Sequence, residues 1–439
     1  MTPSNTRRRL SALGATCALV GTATLATTAA SAASGTLDVA VTGSDSAAGT
    51  LAAPLRTIQA AIDRATPGTT IRIHKGTYSQ QLTIRKSGTA AAPITVTAAG
   101  DGPVKVTSSQ TPDSCASHQP SSRRTIRISD GADYWRFSGL WLENGALIAG
   151  AGSGKTYSWH AGLAAKGQWE ARRKPPGTAK KDPVGAKNVV PYLRTMLRAP
   201  NLDSADHIEF IGNKLTGRGI YATLSSYGVV KNNVISDIIC GSGPGVWVMN
   251  FSNFWEVSGN DVSKVAKSTR AHYMQEGIRF GTAANYNHIA DNYVHDLQGD
   301  GRAFNTDVDA SWNTFERNRA TNVAIGYNDQ MSGWGNVWQY NTVTGARTYG
   351  FGIRLKDGSL KTPSMNSSGN GTIMRCNKVV ASSGKALGIG GIMNSSFVGN
   401  SFASVQLGRY LSGYWSKYHN VWNGSPKPPS ATPAATAVC

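Results

Sequence analysis

Three acidic residues lie close together in the segment GDGRAFNTDVDA, namely Asp300, Asp307 and Asp309. Carboxylate oxygens are the hard ligands that calcium prefers. Asp307 and Asp309 share one face if the strand that holds them continues that far. The same residues also suit a solvated turn. The segment therefore predicts either a calcium site or a corner of the fold.

Basic residues that could act on a carboxylate-bearing substrate stand on either side of this segment. Arg279 and Arg354 could each hold a substrate carboxylate through paired hydrogen bonds. Lys356 is a candidate general base, although Lys356-Asp357-Gly358 also suits a turn. A base beside a neutralised carboxylate is what β-elimination of a uronate requires, because the proton at C5 is otherwise very weakly acidic.

A further carboxyl group permits a different reaction. The corner SKVAKSTRAHYMQEG brings His272, Tyr273 and Glu276 to the same region as Arg279. Glu276 with Asp307 or Asp329 could provide the two carboxyl groups of a glycoside hydrolase, at a separation that the sequence does not give. Glu276 could equally pair with a neighbouring Lys or Arg.

Side chains that could contact a substrate recur on alternating strands. Residues of a strand alternate between the two faces, and equivalent residues of neighbouring strands stack about 4.8 Å apart. We aligned the strands on the apolar positions Ala222, Val248, Phe280, Phe304, Tyr327 and Ile353. This predicts an outward row of Tyr221, Thr223, Trp247, Met249, Arg279, Asn305, Asp307, Asn328, Arg354 and Lys356. A row with two Arg, one Lys, an Asp and a Trp is more typical of a glycan groove than of an ordinary solvent face. Trp247, Asn305 and Asn328 are its candidate substrate-binding residues.

The elements that must position these residues form a repeat. Eight segments share an apolar residue, two free positions, an Asn, one free position and a small or apolar residue, at roughly 27-residue intervals typical of solenoids. Their Asn residues are Asn213, Asn232, Asn260, Asn292, Asn318, Asn341, Asn377 and Asn400. With alternating strands and glycine corners between them, they predict an all-β, parallel β-helix. The Asn residues are predicted to be structural, because Asn tolerates a left-handed turn and its amide can bond the next rung.

The two ends of the chain differ from the repeat. Residues 1–32 carry three arginines, an apolar stretch and Ala30-Ser31-Ala32, which is typical of a signal peptide. In LRTIQAAIDRA the apolar residues share one face of a helix that would cap the first open rung. We expect a β-helix domain over 33–423 and a Pro/Ala-rich tail over 424–439. No other run approaches the roughly 18 apolar residues of a membrane helix, so we expect a secreted, extracellular monomer without a membrane anchor.

Residues 146–200 interrupt the repeat and are rich in Lys and Arg. Their start, AGAGSGKT, fits a loose phosphate-binding loop. An exported chain meets little nucleotide, and the following YSWHAGLAAKGQW is a poor helix for such a loop. We therefore predict no nucleotide partner and a basic insertion that is either a flap over substrate or a solvated loop.

The net charge and the cysteines indicate which partners, disulfides and metal sites the protein could have. The chain has 44 Lys and Arg against 25 Asp and Glu, a formal charge of +19. This excess favours a polyanionic partner, whether acidic polysaccharide, nucleic acid or cell wall. Cys115, Cys240, Cys376 and Cys439 follow the signal peptide and allow up to two disulfides in three possible pairings. Their scatter argues against a zinc site.

The stretch VAVTGSDSAAGTLAAPLRTIQAAIDRATPGTTIRIHKGTYS and the Asn-bearing rungs resemble exported β-helix proteins of the pectate-lyase-like superfamily. The resemblance implies a right-handed parallel β-helix, with an N-terminal capping helix, over nearly the whole mature chain. It does not choose among lyases, hydrolases, epimerases and tailspikes. Calcium-assisted pectate lyases of this kind use an acidic cluster, often with adjacent Asp residues, and a Lys or Arg base. This chain lacks Asp-Asp-Gly and has GDGRAFNTDVD instead, which departs from that pattern.

These observations lead to one hypothesis and two alternatives. The leading hypothesis is an exported lyase that cleaves an acidic polysaccharide by β-elimination, with either a calcium ion or an arginine neutralising the substrate carboxylate. The alternatives are a glycoside hydrolase on the same fold and a non-catalytic protein that binds glycan or cell wall.

Overall fold

The computed structural model describes residues 35–108, 124–129, 131–149, 205–239, 243–249, 252–266, 275–281, 284–307, 310–330, 333–355, 371–409, 411–434 and 439. One compact unit spans Ser34–Cys439. Several predictions fall outside the described residues: the signal peptide over 1–32, most of the basic insertion, and the residues Cys115, Cys240, His272, Tyr273, Asp309 and Lys356.

The described chain is built almost entirely of short strands. The first half contains β1 (Thr36–Val39), β2 (Thr70–Ile73), β3 (Gly76–Ser79), β4 (Leu82–Ile84), β5 (Ile94–Ala98), β6 (Val104–Thr107), β7 (Ile126–Ile128), β8 (Trp135–Ser138), β9 (Trp141–Glu143), β10 (Ala146–Ala149), β11 (Ile208–Ile211), β12 (Lys214–Gly217), β13 (Ile220–Thr223), β14 (Val229–Lys231), β15 (Val234–Ile238), β16 (Val246–Met249), β17 (Glu256–Ser258) and β18 (Asp261–Ser263). The second half contains β19 (Glu276–Gly281), β20 (His288–Ala290), β21 (Tyr293–His295), β22 (Arg302–Asp307), β23 (Thr314–Glu316), β24 (Arg319–Thr321), β25 (Ile325–Asp329), β26 (Val337–Gln339), β27 (Thr342–Thr344), β28 (Tyr349–Ile353), β29 (Ile373–Arg375), β30 (Lys378–Val380), β31 (Lys385–Ile389), β32 (Ser396–Val398), β33 (Val405–Leu407) and β34 (Val421–Trp422). Two helices accompany them, α1 (Ile58–Arg64) and α2 (Leu411–Tyr414).

The strands form three parallel sheets that run the length of the molecule. Sheet 1 has 13 strands, in the order β1-β2-β5-β8-β11-β14-β17-β20-β23-β26-β29-β32-β34. Sheet 2 has 11 strands, in the order β33-β31-β28-β25-β22-β19-β16-β13-β10-β7-β4, and sheet 3 has ten, in the order β3-β6-β9-β12-β15-β18-β21-β24-β27-β30. Each rung gives one strand to each sheet in turn, which is a parallel β-helix, as the repeat predicted.

The Asn repeat marks the corner between sheet 1 and sheet 3. Asn260 is representative: its amide donates to Val230 O of the preceding rung at 2.8 Å and to Asn292 Oδ1 of the next rung at 2.9 Å. The backbone N–H of Asn260 also donates to Asn292 Oδ1 at 3.0 Å. The ladder therefore satisfies the polar groups of a buried turn from one rung to the next.

One member of the predicted ladder was wrong. Asn233, not Asn232, continues the series, since Asn213 donates to Asn233 Oδ1 and Asn233 donates to Asn260 Oδ1. Asn232 is exposed and has the left-handed backbone of the turn, with φ of 54°. Both residues occur in VVKNNV, and the apolar template fits either one.

A second asparagine series leads into sheet 1. Asn287, Asn313 and Asn336 are buried, and the amides of Asn287 and Asn313 each donate to the side-chain oxygen of the next member, at 2.9 and 3.3 Å. Outside this corner, aromatic rings stack on successive rungs: Tyr134, His207, Tyr227, Phe254, Tyr286 and Trp312. The two series fix the register at the corner that returns the chain from sheet 2 to sheet 1.

The interior is apolar, but the predicted alignment of sheet 2 fails where β19 pairs with β22. Ala222, Val248 and Phe280 are register partners as expected. Phe304 pairs with Ile278, and Phe280 instead pairs with Thr306, which in turn pairs with Asp329. These two polar residues are buried, and Thr306 Oγ1 donates to Asp329 Oδ1 at 3.0 Å. An alignment that matches only apolar residues passes over this polar pair and is therefore displaced by two positions along the strand. Because side chains alternate with a period of two, the residues predicted to point outward still do so.

The ends of the solenoid carry the remaining elements. Helix α1 buries Ile58, Ala61 and Ile62, on the face that the sequence predicted. Residues 146–149 form β10, so a rung continues four residues into the stretch assigned to the insertion. At the other end, Cys376 and Cys439 form a disulfide. Within the described part of the chain, none of the helices is long and apolar enough to cross a membrane.

Candidate active site

Five side chains occupy one outward position on five consecutive strands of sheet 2. Tyr221, Trp247, Arg279, Asn305 and Asn328 are successive register partners on β13, β16, β19, β22 and β25. Buried neighbours such as Ile278 and Phe280 hold each strand against the core and turn the residue between them outward. The sequence alignment had placed these five residues in a common row.

Arg279 is the centre of this row. Its Nη1 donates to Glu276 Oε2 at 2.8 Å on the same strand, and its Nη2 donates to Asp307 Oδ2 at 2.5 Å on the next strand. All three residues are buried, with 8% of Arg279, 2% of Glu276 and 8% of Asp307 exposed. Burial alone would lower the pKa of Arg279, but the two carboxylates outweigh it and raise that pKa. The guanidinium is therefore held as a fixed cation.

A hydrogen-bond network extends from the ion pairs of Arg279 to side chains on β22 and at the end of β25. Glu276 Oε1 accepts from Asn305 Nδ2 at 2.9 Å and from Arg302 Nη1 at 3.3 Å. Asn328 Nδ2 donates to Asn305 Oδ1 at 2.5 Å. Arg302 also donates to Gln330 Oε1 at 3.1 Å. The network fixes the orientation of Glu276 and, through it, of Arg279.

Aromatic rings form the neighbouring part of the row. The rings of Tyr221 and Trp247 lie 4.4 Å apart between centroids, and the Arg279 guanidinium carbon is 5.9 Å from the centroid of Trp247. Burial raises the pKa of Tyr221, against a hydrogen bond to Thr223 and the charges of Arg124 and Arg279. Tyr221 is thus a neutral phenol at ordinary pH, and it could donate a hydrogen bond but not act as a base.

Two of the three predicted metal ligands, Asp300 and Asp307, do not come together. Asp300 is exposed in the turn before β22, whereas Asp307 ends that six-residue strand, which separates them by roughly 20 Å. Among the described residues no group of three or more His, Cys, Asp and Glu side chains is arranged to hold a metal ion. Asp309 lies outside the described residues. The carboxylates that do meet, Glu276 and Asp307, meet on Arg279, so the described residues do not fit calcium.

Arg354 does not belong to the row in which it was predicted. It follows the end of β28, has φ of 56°, is fully buried and donates from Nη1 to Gly333 O at 2.8 Å. Gly352 stands at the row position next to Asn328 instead. The prediction was wrong because the strand ends before Arg354 and the left-handed turn reverses the direction of its side chain. His272, Tyr273 and Lys356 are outside the described residues.

Sequence reasoning missed Arg302 and Gln330. Arg302 is the register partner of Glu276 on the next strand. Arg302 has the alternation parity of the inward Phe304, so the alternation of RAFNTD counted from Asn305 does not predict it on the outer face. Gln330 follows the last residue of β25 and offered no signal either.

Comparison with known proteins agrees with the architecture. Residues 37–157 match a family model described as a Pel9A-like, right-handed beta-helix region. Pectate lyase PEL9 of Emericella nidulans is 42% identical over 99 residues, which are 21% of this chain and 24% of that protein. The match thus spans about a quarter of that curated relative.

Solved structures of similar fold include lyases and hydrolases. Pectate lyase Pel9A has 15% identity and a TM-score of 0.48, over 92% of this chain and 90% of that one. A rhamnogalacturonan lyase has 13% identity and a TM-score of 0.47, over 92% and 96%. A family GH136 lacto-N-biosidase from Eubacterium ramulus has 14% identity and a TM-score of 0.47, over 88% and 67%. Its three continuous parallel sheets and the match over residues 37–157 make this chain a right-handed parallel β-helix protein whose N-terminal rungs are similar to those of pectate lyase PEL9.

Proposed function

We propose that the protein is a secreted polysaccharide lyase that cleaves an acidic, uronate-containing polysaccharide by β-elimination on the outer face of sheet 2. The observation that carries the proposal is the buried Arg279 guanidinium, fixed by Glu276 and Asp307 in one row with Trp247. The similarity to a pectate lyase over the N-terminal rungs and the positive charge of the chain support it.

The reaction asks two things of the site. Arg279 would hold the uronate carboxylate and neutralise it, which makes the proton at C5 removable. A general base would take that proton, the electron pair would form the C4–C5 double bond, and the glycosidic oxygen would leave C4 and take up a proton. The ring of Trp247 offers a flat apolar surface for the sugar beside the reacting one. Lys356 remains the base that we propose.

A glycoside hydrolase is the second candidate, because Glu276 and Asp307 both bond the Arg279 guanidinium and so bring two carboxyl groups close together. Such an enzyme needs one carboxyl group that carries a proton to the leaving oxygen. Glu276 Oε2 and Asp307 Oδ2 each accept a hydrogen bond from Arg279 instead. This arrangement suits carboxylates that position a cation better than it suits an acid and a nucleophile.

Secretion is supported by the signal-peptide pattern over residues 1–32 and by the Cys376–Cys439 disulfide, since disulfides persist in oxidising compartments. A monomer acting on a soluble or wall-bound polymer is the simplest form of this proposal.

The test is incubation of the protein with pectate, alginate and glycosaminoglycans, followed by two measurements. A lyase produces new reducing ends together with the ultraviolet absorbance of an unsaturated uronate. A hydrolase produces the reducing ends without that absorbance. Saturable, salt-sensitive binding without either product would identify the protein as a non-catalytic binder and overturn the proposal.

A further inference from the structure

We infer that Arg279 takes the place of calcium in this site, so that the reaction proceeds without a divalent cation. The inference rests on the proposed function for the identity of the substrate. It departs from the calcium cofactor that the family resemblance implies, and it follows from how the carboxylate oxygens of the site are used.

Three of the four oxygens of Glu276 and Asp307 accept hydrogen bonds from side chains. Glu276 Oε2 and Asp307 Oδ2 are bonded to Arg279, and Glu276 Oε1 is bonded to Asn305 and Arg302. Only Asp307 Oδ1 has no hydrogen-bond partner among the described residues. Calcium takes six to eight oxygen ligands. It would find one carboxylate oxygen here that is not already committed.

Among the described residues, the other acidic side chains nearby do not add ligands. Asp329 is buried in the row that faces the core, where Thr306 bonds it, and Asp300 is at the far end of β22. A calcium ion between Glu276 and Asp307 would also lie beside the guanidinium that now bridges them. Displacing that guanidinium would leave a buried cation without its two partners, which is strongly unfavourable.

Arg279 can itself supply what the metal would supply. Its planar fork is fixed at both ends, and its Nε, which is buried, has no hydrogen-bond partner among the described residues. The two carboxylates are balanced by Arg279 and Arg302, so the cluster does not repel an incoming carboxylate. A guanidinium matches carboxylate geometry better than a point charge does.

Calcium binding can be tested without any substrate. For the wild-type protein we expect no change in melting temperature between millimolar calcium chloride and chelator, and no heat of binding on titration. Arg279→Gln frees Glu276 Oε2 and Asp307 Oδ2, and we expect it to gain a melting temperature that rises with calcium. Arg347→Gln, which removes an exposed cation that bonds Asn322 and two backbone carbonyls, should not gain that response. Saturable calcium binding by the wild-type protein that Asp307→Asn abolishes would overturn the inference.

Activity separates this inference from the function on which it rests. Formation of unsaturated product on a uronan at the same rate in chelator and in calcium supports both. Product that disappears in chelator and returns with calcium would overturn the inference and leave the lyase function intact. Absence of product under every condition would overturn the lyase function, while the calcium titration and the Arg279→Gln response still decide whether the site takes the metal. If Arg279→Gln does not fold, Arg279→Met, which also removes the cation and keeps an unbranched side chain, provides the same comparison.

Discussion

Arg279 and Asp307 form a buried ion pair between adjacent rungs, with 2.5 Å between Nη2 and Oδ2. Arg279 stands on β19 and Asp307 at the end of β22, one position beyond the register partner of Phe280. A long side chain thus reaches diagonally from one strand to the next. Because Glu276 holds the other end of the guanidinium, its orientation is fixed by two strands at once.

Arg279→Lys tests whether this fixed fork is needed for activity. A lysine keeps the charge but presents a single ammonium group, so it cannot bond Glu276 and Asp307 and also meet a substrate carboxylate. We expect kcat/KM to fall by roughly 10²–10³, the effect of removing one preorganised donor. The rate of unsaturated-product formation measures it. Arg317→Lys is the matched control on sheet 1 and should retain wild-type rates; equal rates for both variants would remove Arg279 from the mechanism.

The sequence was most informative where the physical signal repeats. The Asn corner recurs in the rungs from Asn213 onward and the alternating strands recur throughout, so an error in one segment does not change the fold. The sequence does not distinguish Asn232 from Asn233, because two adjacent asparagines satisfy the same apolar template. Thr306 and Asp329 fill core positions with a bonded polar pair, which no hydrophobic pattern predicts. The role of Arg302 depends on Glu276, a partner 26 residues away in the sequence. Whether Arg354 lies in the outward row depends on where β28 ends.

Replacing Asn233 and Asn232 separately tests the corrected ladder. Asn233→Ala removes an acceptor for two Asn213 N–H groups and two donors, to Phe210 O and Asn260 Oδ1. These partners stay buried, so we expect the free energy of unfolding to fall by about 3 kcal/mol. Asn232→Gly keeps the left-handed turn at an exposed position and should change it by less than about 0.5 kcal/mol. Denaturant unfolding of both variants measures these changes. A larger loss of stability for Asn232→Gly than for Asn233→Ala would place Asn232 in the ladder instead.

Glu316 gives the outer face of sheet 1 a stability that is lost in acid. Partial burial alone would raise its pKa, but hydrogen bonds from Gln339, His288 and Arg317 lower the pKa to about 2. A lowered pKa means that the contribution is present above the unfolded value of 4.5 and disappears as the pH falls towards about 2. Its full size is about 3 kcal/mol.

The measurement is the free energy of unfolding as a function of pH for the wild-type protein and Glu316→Gln. We expect the variant to be less stable at neutral pH and to lose less stability between pH values near 4.5 and 2. Parallel curves for the two proteins would show that Glu316 does not carry this dependence.

The Cys376–Cys439 disulfide is expected to hold the C-terminal segment against the last rungs. It closes a loop with a sequence separation of 63, and Val405 N of β33 donates to Ala431 O within that loop at 2.8 Å. Chain-entropy arguments give about 4 kcal/mol for a loop of this size. A variant with both Cys376→Ser and Cys439→Ser should unfold at lower denaturant, and protease should cleave its tail faster. Unchanged cleavage together with unchanged stability would show that the tail is held by its other contacts.

Trp247 is expected to contribute to binding of the polymer more than to bond cleavage. Its ring contacts Tyr221 and lies beside Arg279, and neither contact involves a proton in transfer. Trp247→Ala should therefore raise KM roughly tenfold, the value of one aromatic contact, with a smaller change in kcat. Trp141→Ala is the matched control, because Trp141 lies on sheet 3 between the Lys105 and Lys214 ammonium groups, 4.5 and 4.3 Å from its ring centroid. A lower kcat at unchanged KM for Trp247→Ala would instead place this ring at the reacting sugar, and a raised KM for Trp141→Ala would move the binding face to sheet 3.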